Sequence, residues 1–231
     1  MSTFTGGGSS YILIPLVSLL LGASAVPPVI TTGMLLGNFQ RVVIYRKSIN
    51  WQVFCWYLPG GIIGACFGAF VLSKTKIEWL TLILALFLII SASNIFLNQG
   101  KKTFEVKLWY FLPSGFIYAF LSGLIGSTGP LMTPFYINYG LVKEDLIATR
   151  AVNIATVHAV KIIAYAFFGA WTTQYLVYGL MIGAAALPGN WLGQIVVEKM
   201  SEQRFQQMVV AFIMFSGMLL MWQERQFFLI W

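Results

Sequence analysis

Residues 53–72 contain no charged side chain and are long enough to cross a bilayer as a helix, which takes roughly 20 residues. Gly60, Gly61, Gly64 and Gly68 lie in that stretch. Further apolar segments cover about residues 29–45, 79–97, 108–125, 146–169, 175–197 and 205–222. With 58% hydrophobic and 9% charged residues and a mean hydropathy of +0.80, the chain has more apolar surface than one soluble core of 231 residues could hide. The runs are long and do not alternate with period 2, so they read as helices and not as strands of a barrel. The sequence therefore predicts an all-α, multi-pass membrane protein.

Two apolar pieces are too short to span. One, residues 10–21, follows Gly6-Gly7-Gly8-Ser9 and contains Pro15. The other, residues 131–141, follows Gly126-Ser127-Thr128-Gly129-Pro130 and contains Pro134. They occupy matching places in two halves. Counting onward from Gly22 and Gly140 aligns Thr31 with Thr149, Asn38 with Thr156 and Gln40 with His158, and Gly64 and Gly68 match Gly189 and Gly193. The chain thus reads as two pseudo-symmetric repeats, each with a Gly/Pro-interrupted short helix: an N-terminal one over 1–100, lacking its first helix, and a C-terminal one over 101–231. Such paired interruptions point to a transporter's binding site at the repeat interface. Unwound backbone at membrane depth must be packed in protein or line a watery cavity, and the helix N-termini that follow attract anions. The expected contributors are Gly7, Gly8, Ser9 and Ser10 from the first half and Ser127, Thr128 and Gly129 from the second.

The segment 146–169 carries a polar stripe. At 100° per residue, Arg150, Asn153, Lys161 and Tyr165 fall within roughly 60° of one direction, and His158 lies about 80° away. Lys161 is roughly 12 Å of helix from Gly169, too deep for snorkelling alone. No acidic residue interrupts the apolar segments. Deep cations without fixed counter-charges call for a partner, and a transient anion would serve. Arg150, Asn153, His158 and Lys161 therefore join the expected site, with Asn38 and Gln40 from the equivalent helix of the first half. Arg41, near that helix's basic end, is expected to snorkel to the headgroups. Paired carboxylates, metal-ligand clusters, nucleophile elbows and phosphate loops are missing from the sequence, so catalysis and a bound metal are not expected. Cys55 and Cys66 read as small packing residues.

The glycine-rich breaks with their prolines, Gly6-Gly7-Gly8 to Pro15 and Gly126-Ser127-Thr128-Gly129-Pro130 to Pro134, and the helix start Ile147-Ala148-Thr149-Arg150-Ala151 together resemble the sulfite exporter TauE/SafE family of membrane transporters. The resemblance extends over nearly the whole chain. It implies a bacterial inner-membrane permease for sulfite, organosulfonates or related small anions, working without a cofactor. Family members usually carry a full helix before the first glycine break, whereas five residues precede Gly6 here, and Arg150 stands where the family often has serine.

The reading is a transporter moving a sulfur oxyanion by alternating access; the alternatives are a passive anion channel and a non-transporting membrane scaffold. The expected partners are the small anion and membrane lipid, with a coupling proton or ion and a homo-oligomer left open. The +7 formal charge resides mainly in short loops, where it sets orientation and meets lipid headgroups, not nucleic acid. The first residues carry no basic stretch, so no cleavable signal peptide is expected. The loops with Arg46-Lys47 and Lys101, Lys102 and Lys107 are placed in the cytoplasm.

Overall fold

A computed structural model describes residues 8–74, 105–128, 132–141 and 143–198, together with 211, 218 and 222. All regular structure among these residues is helical: α1 (Gly8–Leu21), α2 (Val26–Ile44), α3 (Trp51–Lys74), α4 (Phe111–Ile125), α5 (Thr133–Tyr139), α6 (Lys143–Phe167) and α7 (Thr173–Glu198). The segment expected at 79–97 lies outside the described residues, as does that expected at 205–222 apart from 211, 218 and 222. Among the described residues, three helical stretches, Trp51–Lys74, Leu108–Ile125 and Glu144–Phe167, are long and apolar enough to cross a membrane. The polarity is that of a lipid-facing protein. Phe167 is 82% exposed, Leu20 72% and Ile163 70%, whereas Arg150, Asn153, His158 and Lys161 are all buried. Such an arrangement in water would leave the apolar exterior without a solvent to suit it.

Glycines set how closely the helices approach. A Cβ on Gly60, Gly64 or Gly68 of α3 would overlap the carbonyl oxygen of Leu112, Phe116 or Phe120 of α4. This constant register makes α3 and α4 parallel, with backbones in contact as in small-residue membrane interfaces. On the other side of the molecule Gly179 and Gly183 of α7 pack on Thr32 and Leu36 of α2, again parallel. Helix α6 runs alongside α3, with Val157 against Gly61 and the Phe168 ring, just past its end, 5.3 Å from that of Phe70.

Helices α2 and α6 cross the centre antiparallel. Near the start of α2, Thr31 meets the Gly126 carbonyl that also receives Lys161, late in α6. Just beyond the end of α2, the Asn50 amide donates to Thr149 Oγ1, early in α6, at 2.8 Å. One apolar cluster holds α1, the start of α2 and the end of α4 together through Ile14, Val17, Val29, Ile30 and Leu124. A second joins α3, α4, α5 and α6 through Tyr57, Phe111, Tyr118, Tyr136 and Val157.

Candidate functional site

Helix α4 stops inside the protein. Gly126 has φ of +95°, a conformation L side chains avoid, and a Cβ there would lie 2.9 Å from Pro27 Cα at the start of α2. Termination leaves the last carbonyls of α4 without helical partners and gathers partial negative charge at that end. Two residues of α6, one turn apart, meet them. Lys161 Nζ donates to Gly126 O at 2.6 Å, Ser122 Oγ at 2.8 Å and Ser122 O at 3.0 Å. The Tyr165 hydroxyl donates to Gly123 O, and Thr31 Oγ1 reaches Gly126 O at 3.4 Å. Lys161 is fully buried, as its depth in the sequence suggested. Its three ammonium protons are spent on protein oxygens, so the counter-charge it meets is a helix end. The clamp fixes the chain that follows, Ser127 and Thr128, both buried.

A second polar cluster surrounds Arg150, roughly 16 Å along α6 from Lys161. Arg150 lies within electrostatic reach of three phenols, Tyr57 of α3, Tyr118 of α4 and Tyr136 of α5. The rings of Tyr57 and Tyr118 are 6.4 Å apart. Asn153, one turn beyond Arg150, donates through Nδ2 to Tyr136 Oη at 2.8 Å. Phe111 stacks on Tyr136, centroids 5.4 Å apart. Among the described residues the Tyr57 hydroxyl and Asn153 Oδ1 have no hydrogen-bond partner, and the hydroxyls of Tyr118 and Thr128 have at most each other. Thr128 is near enough to Tyr118 to interact with it. A buried polar group left unsatisfied costs about 1–3 kcal/mol, so these groups have hydrogen-bonding capacity to offer a polar ligand.

The first half contributes through α2. Arg41 does not snorkel: it is 4% exposed, donates through Nη1 to Asn38 Oδ1 at 3.1 Å, and lies within electrostatic reach of Arg150. The reason is that Arg41 lies on the face of α2 that packs against α6, while Val43, Ile44, Arg46 and Lys47 at the same end are exposed. Asn38 is buried and donates to Met34 O at 2.8 Å, leaving its oxygen for Arg41. Gln40 is half-buried. His158 is fully buried beside Lys161, and neither ring nitrogen has a hydrogen-bond partner.

The structure thus gathers Arg150, Asn153 and Thr128 with Asn38 at its edge, and separates them from Lys161 and His158. Gly7 and Gly129 lie outside the described residues. Gly8, Ser9 and Ser10 open α1, and their side chains also lie outside them. Tyr57, Tyr118 and Tyr136 were missed by sequence reasoning; the available signal was a hydroxyl inside an apolar segment. No group of His, Cys, Asp or Glu that could hold a metal ion occurs among the described residues. A family model described as sulfite exporter TauE/SafE matches residues 1–220 of the chain. No curated protein and no solved structure matches it.

Proposed function

The chain belongs to the sulfite exporter TauE/SafE family, and from that membership and the Arg150 cluster we propose that it carries a small sulfur oxyanion across the membrane by alternating access. Membership makes it an integral membrane transporter of sulfur-containing anions; the binding residues, the mechanism and an inner-membrane location are the proposal. The observation that supports it is the pair of buried phenols Tyr57 and Tyr118 within electrostatic reach of Arg150, with the Thr128 hydroxyl beside Tyr118 and the Tyr57 hydroxyl without a partner among the described residues. An oxyanion leaving water needs charge-assisted hydrogen bonds to replace its hydration, and these groups are of the right kind. In this reading Arg150 supplies charge and the hydroxyls orient the oxygens. Ser127 and Gly129 shape the backbone beside Thr128, and Asn153 and Asn38 hold Tyr136 and Arg41 in place. Gly7 to Ser10 provide the corresponding element of the first half, with Gln40 nearby.

Lys161 has a different part. It keeps the α4 break open at a fixed angle, so that Thr128 stays aimed at the site. His158, buried with two bare nitrogens, is the candidate for a coupling proton. The helix directions support two inverted repeats: α2 lies parallel to α7, α3 lies parallel to α6, and the equivalent helices α2 and α6 oppose each other.

The experiment is uptake of radiolabelled sulfite into proteoliposomes. Arg150→Gln should lower transport at least about thirty-fold, the lower end for truncating a buried charged hydrogen-bonding group. Wild-type uptake no faster than empty liposomes, or Arg150→Gln transport equal to wild type with both proteins folded, would sink the reading. Sulfite efflux unaffected by an opposing sulfite gradient would replace the carrier with a channel.

A further inference from the structure

The ammonium of Lys161 sits among neutral oxygens at a helix end. Gly126 leaves α4 with φ of +95°, and its carbonyl oxygen converges with that of Ser122, four residues earlier, on one point. Gly126 O lies 2.6 Å from Nζ, Ser122 Oγ 2.8 Å and Ser122 O 3.0 Å. Thr31 Oγ1 of α2, from the other half of the chain, closes on Gly126 O at 3.4 Å. The Lys161 side chain is fully buried, whereas Glu105, Glu144 and Asp145 are exposed. The positive charge is therefore held by two carbonyls and a hydroxyl, none of which carries a formal charge.

Carbonyl oxygens at the C-terminal end of a broken helix are what membrane carriers use to coordinate a coupling cation. Calcium and magnesium call for carboxylates, which this shell lacks, so its oxygens suit a monovalent ion. Carbonyls replace the hydration shell of potassium in the same way, and an ammonium is of nearly potassium's size. A tethered ammonium differs from a free ion in one respect: it cannot leave during a transport cycle.

We infer that Ser122 and Gly126 form a monovalent-cation site that the Lys161 ammonium occupies permanently, so that transport needs no alkali ion and loss of the side chain opens the site to one. The site stands on its own geometry, and the statement about transport rests on the carrier reading and deepens it.

The test compares Lys161→Ala, which empties the shell, with Lys161→Met, which fills the same volume without charge, in purified full-length protein in detergent. Thermal unfolding is followed in the chlorides of potassium, methylammonium, magnesium and choline at equal ionic strength. Potassium and methylammonium should raise the Tm of Lys161→Ala above its value in choline by at least about 3 °C at about ten times the half-effective concentration. Magnesium should not, and neither the wild type nor Lys161→Met should respond. Wild-type sulfite uptake into proteoliposomes should be equal in sodium, potassium and choline. Lys161→Ala that melts alike in all the salts, or a wild type or Lys161→Met stabilised by potassium as much as Lys161→Ala, would overturn the site. Lys161→Ala recovered folded in none of the salts counts equally against it, whereas recovery only in potassium or methylammonium supports it. Wild-type uptake that requires sodium or potassium would overturn the resident ammonium. Absence of wild-type uptake in every salt would instead overturn the carrier reading, and the Tm response would still decide the site.

Discussion

Replacing Lys161 by methionine removes the ammonium and keeps most of the side-chain volume. Three bonds of 2.6, 2.8 and 3.0 Å disappear together. Hydrogen bonds to charged groups contribute about 1.5–3 kcal/mol each, so the gross loss is about 5–9 kcal/mol. Part returns, because methionine carries no buried charge to desolvate and Ser122 O still accepts the Gly126 amide at 2.8 Å. Gly126 O retains only the long contacts from Thr31 at 3.4 Å and Ser122 at 3.5 Å. The net destabilisation is about 3 kcal/mol, a fall of roughly 10 °C in Tm at this chain length. Thermal unfolding followed by tryptophan fluorescence in detergent measures it, with Tyr165→Phe as the comparison. That variant loses one neutral bond to Gly123 O and should fall by roughly 3 °C, for about 1 kcal/mol. If Lys161→Met melts with the wild type and nonetheless loses sulfite binding, the ammonium serves the anion and the clamp argument is refuted.

Two further variants test the scaffold and the site. Gly64→Ala places a Cβ on the Phe116 carbonyl oxygen, so α3 and α4 must separate; yield of folded protein in size-exclusion chromatography should drop well below wild type, whereas Ala65→Gly, also on α3, should cost about 1 kcal/mol or little more. Tyr57→Phe removes a buried hydroxyl that has no protein partner, so it should leave Tm unchanged or slightly higher and weaken sulfite binding by roughly ten-fold; a lower Tm with binding intact would place that hydroxyl in structure and not in the site.

Helix α3 was legible because its uncharged stretch and its glycines require a close-packed span; the observed Trp51–Lys74 exceeds the expected 53–72 by two residues at each end. The break at Gly126 was equally readable, since glycine there has both a conformational and a packing reason. The depth of Lys161 was visible in sequence, but its partner was not: the carbonyls it clamps are backbone atoms, which carry no residue-type signature. Arg41 misled because distance from a helix end predicts snorkelling only for a side chain on the outer face, and Arg41 lies on the face of α2 that packs against α6 while its neighbours Val43, Ile44, Arg46 and Lys47 are exposed. Tyr57, Tyr118 and Tyr136 were not singled out in the sequence, because their grouping within electrostatic reach of one arginine comes from three different helices. Asn38 and Thr156, which the sequence alignment of the halves pairs, both bond back to the carbonyl four residues earlier, Met34 O at 2.8 Å and Val152 O at 2.9 Å, and Asn38 in addition accepts from Arg41.

The most direct measurement is a structure of the protein with selenite, the heavier analogue of sulfite, located by the anomalous signal of selenium. The account predicts selenium beside Arg150, with its oxygens within hydrogen-bonding distance of the hydroxyls of Tyr57, Tyr118 and Thr128. Selenium bound instead to Lys161, or only at the exposed Arg46 and Lys47, would contradict it.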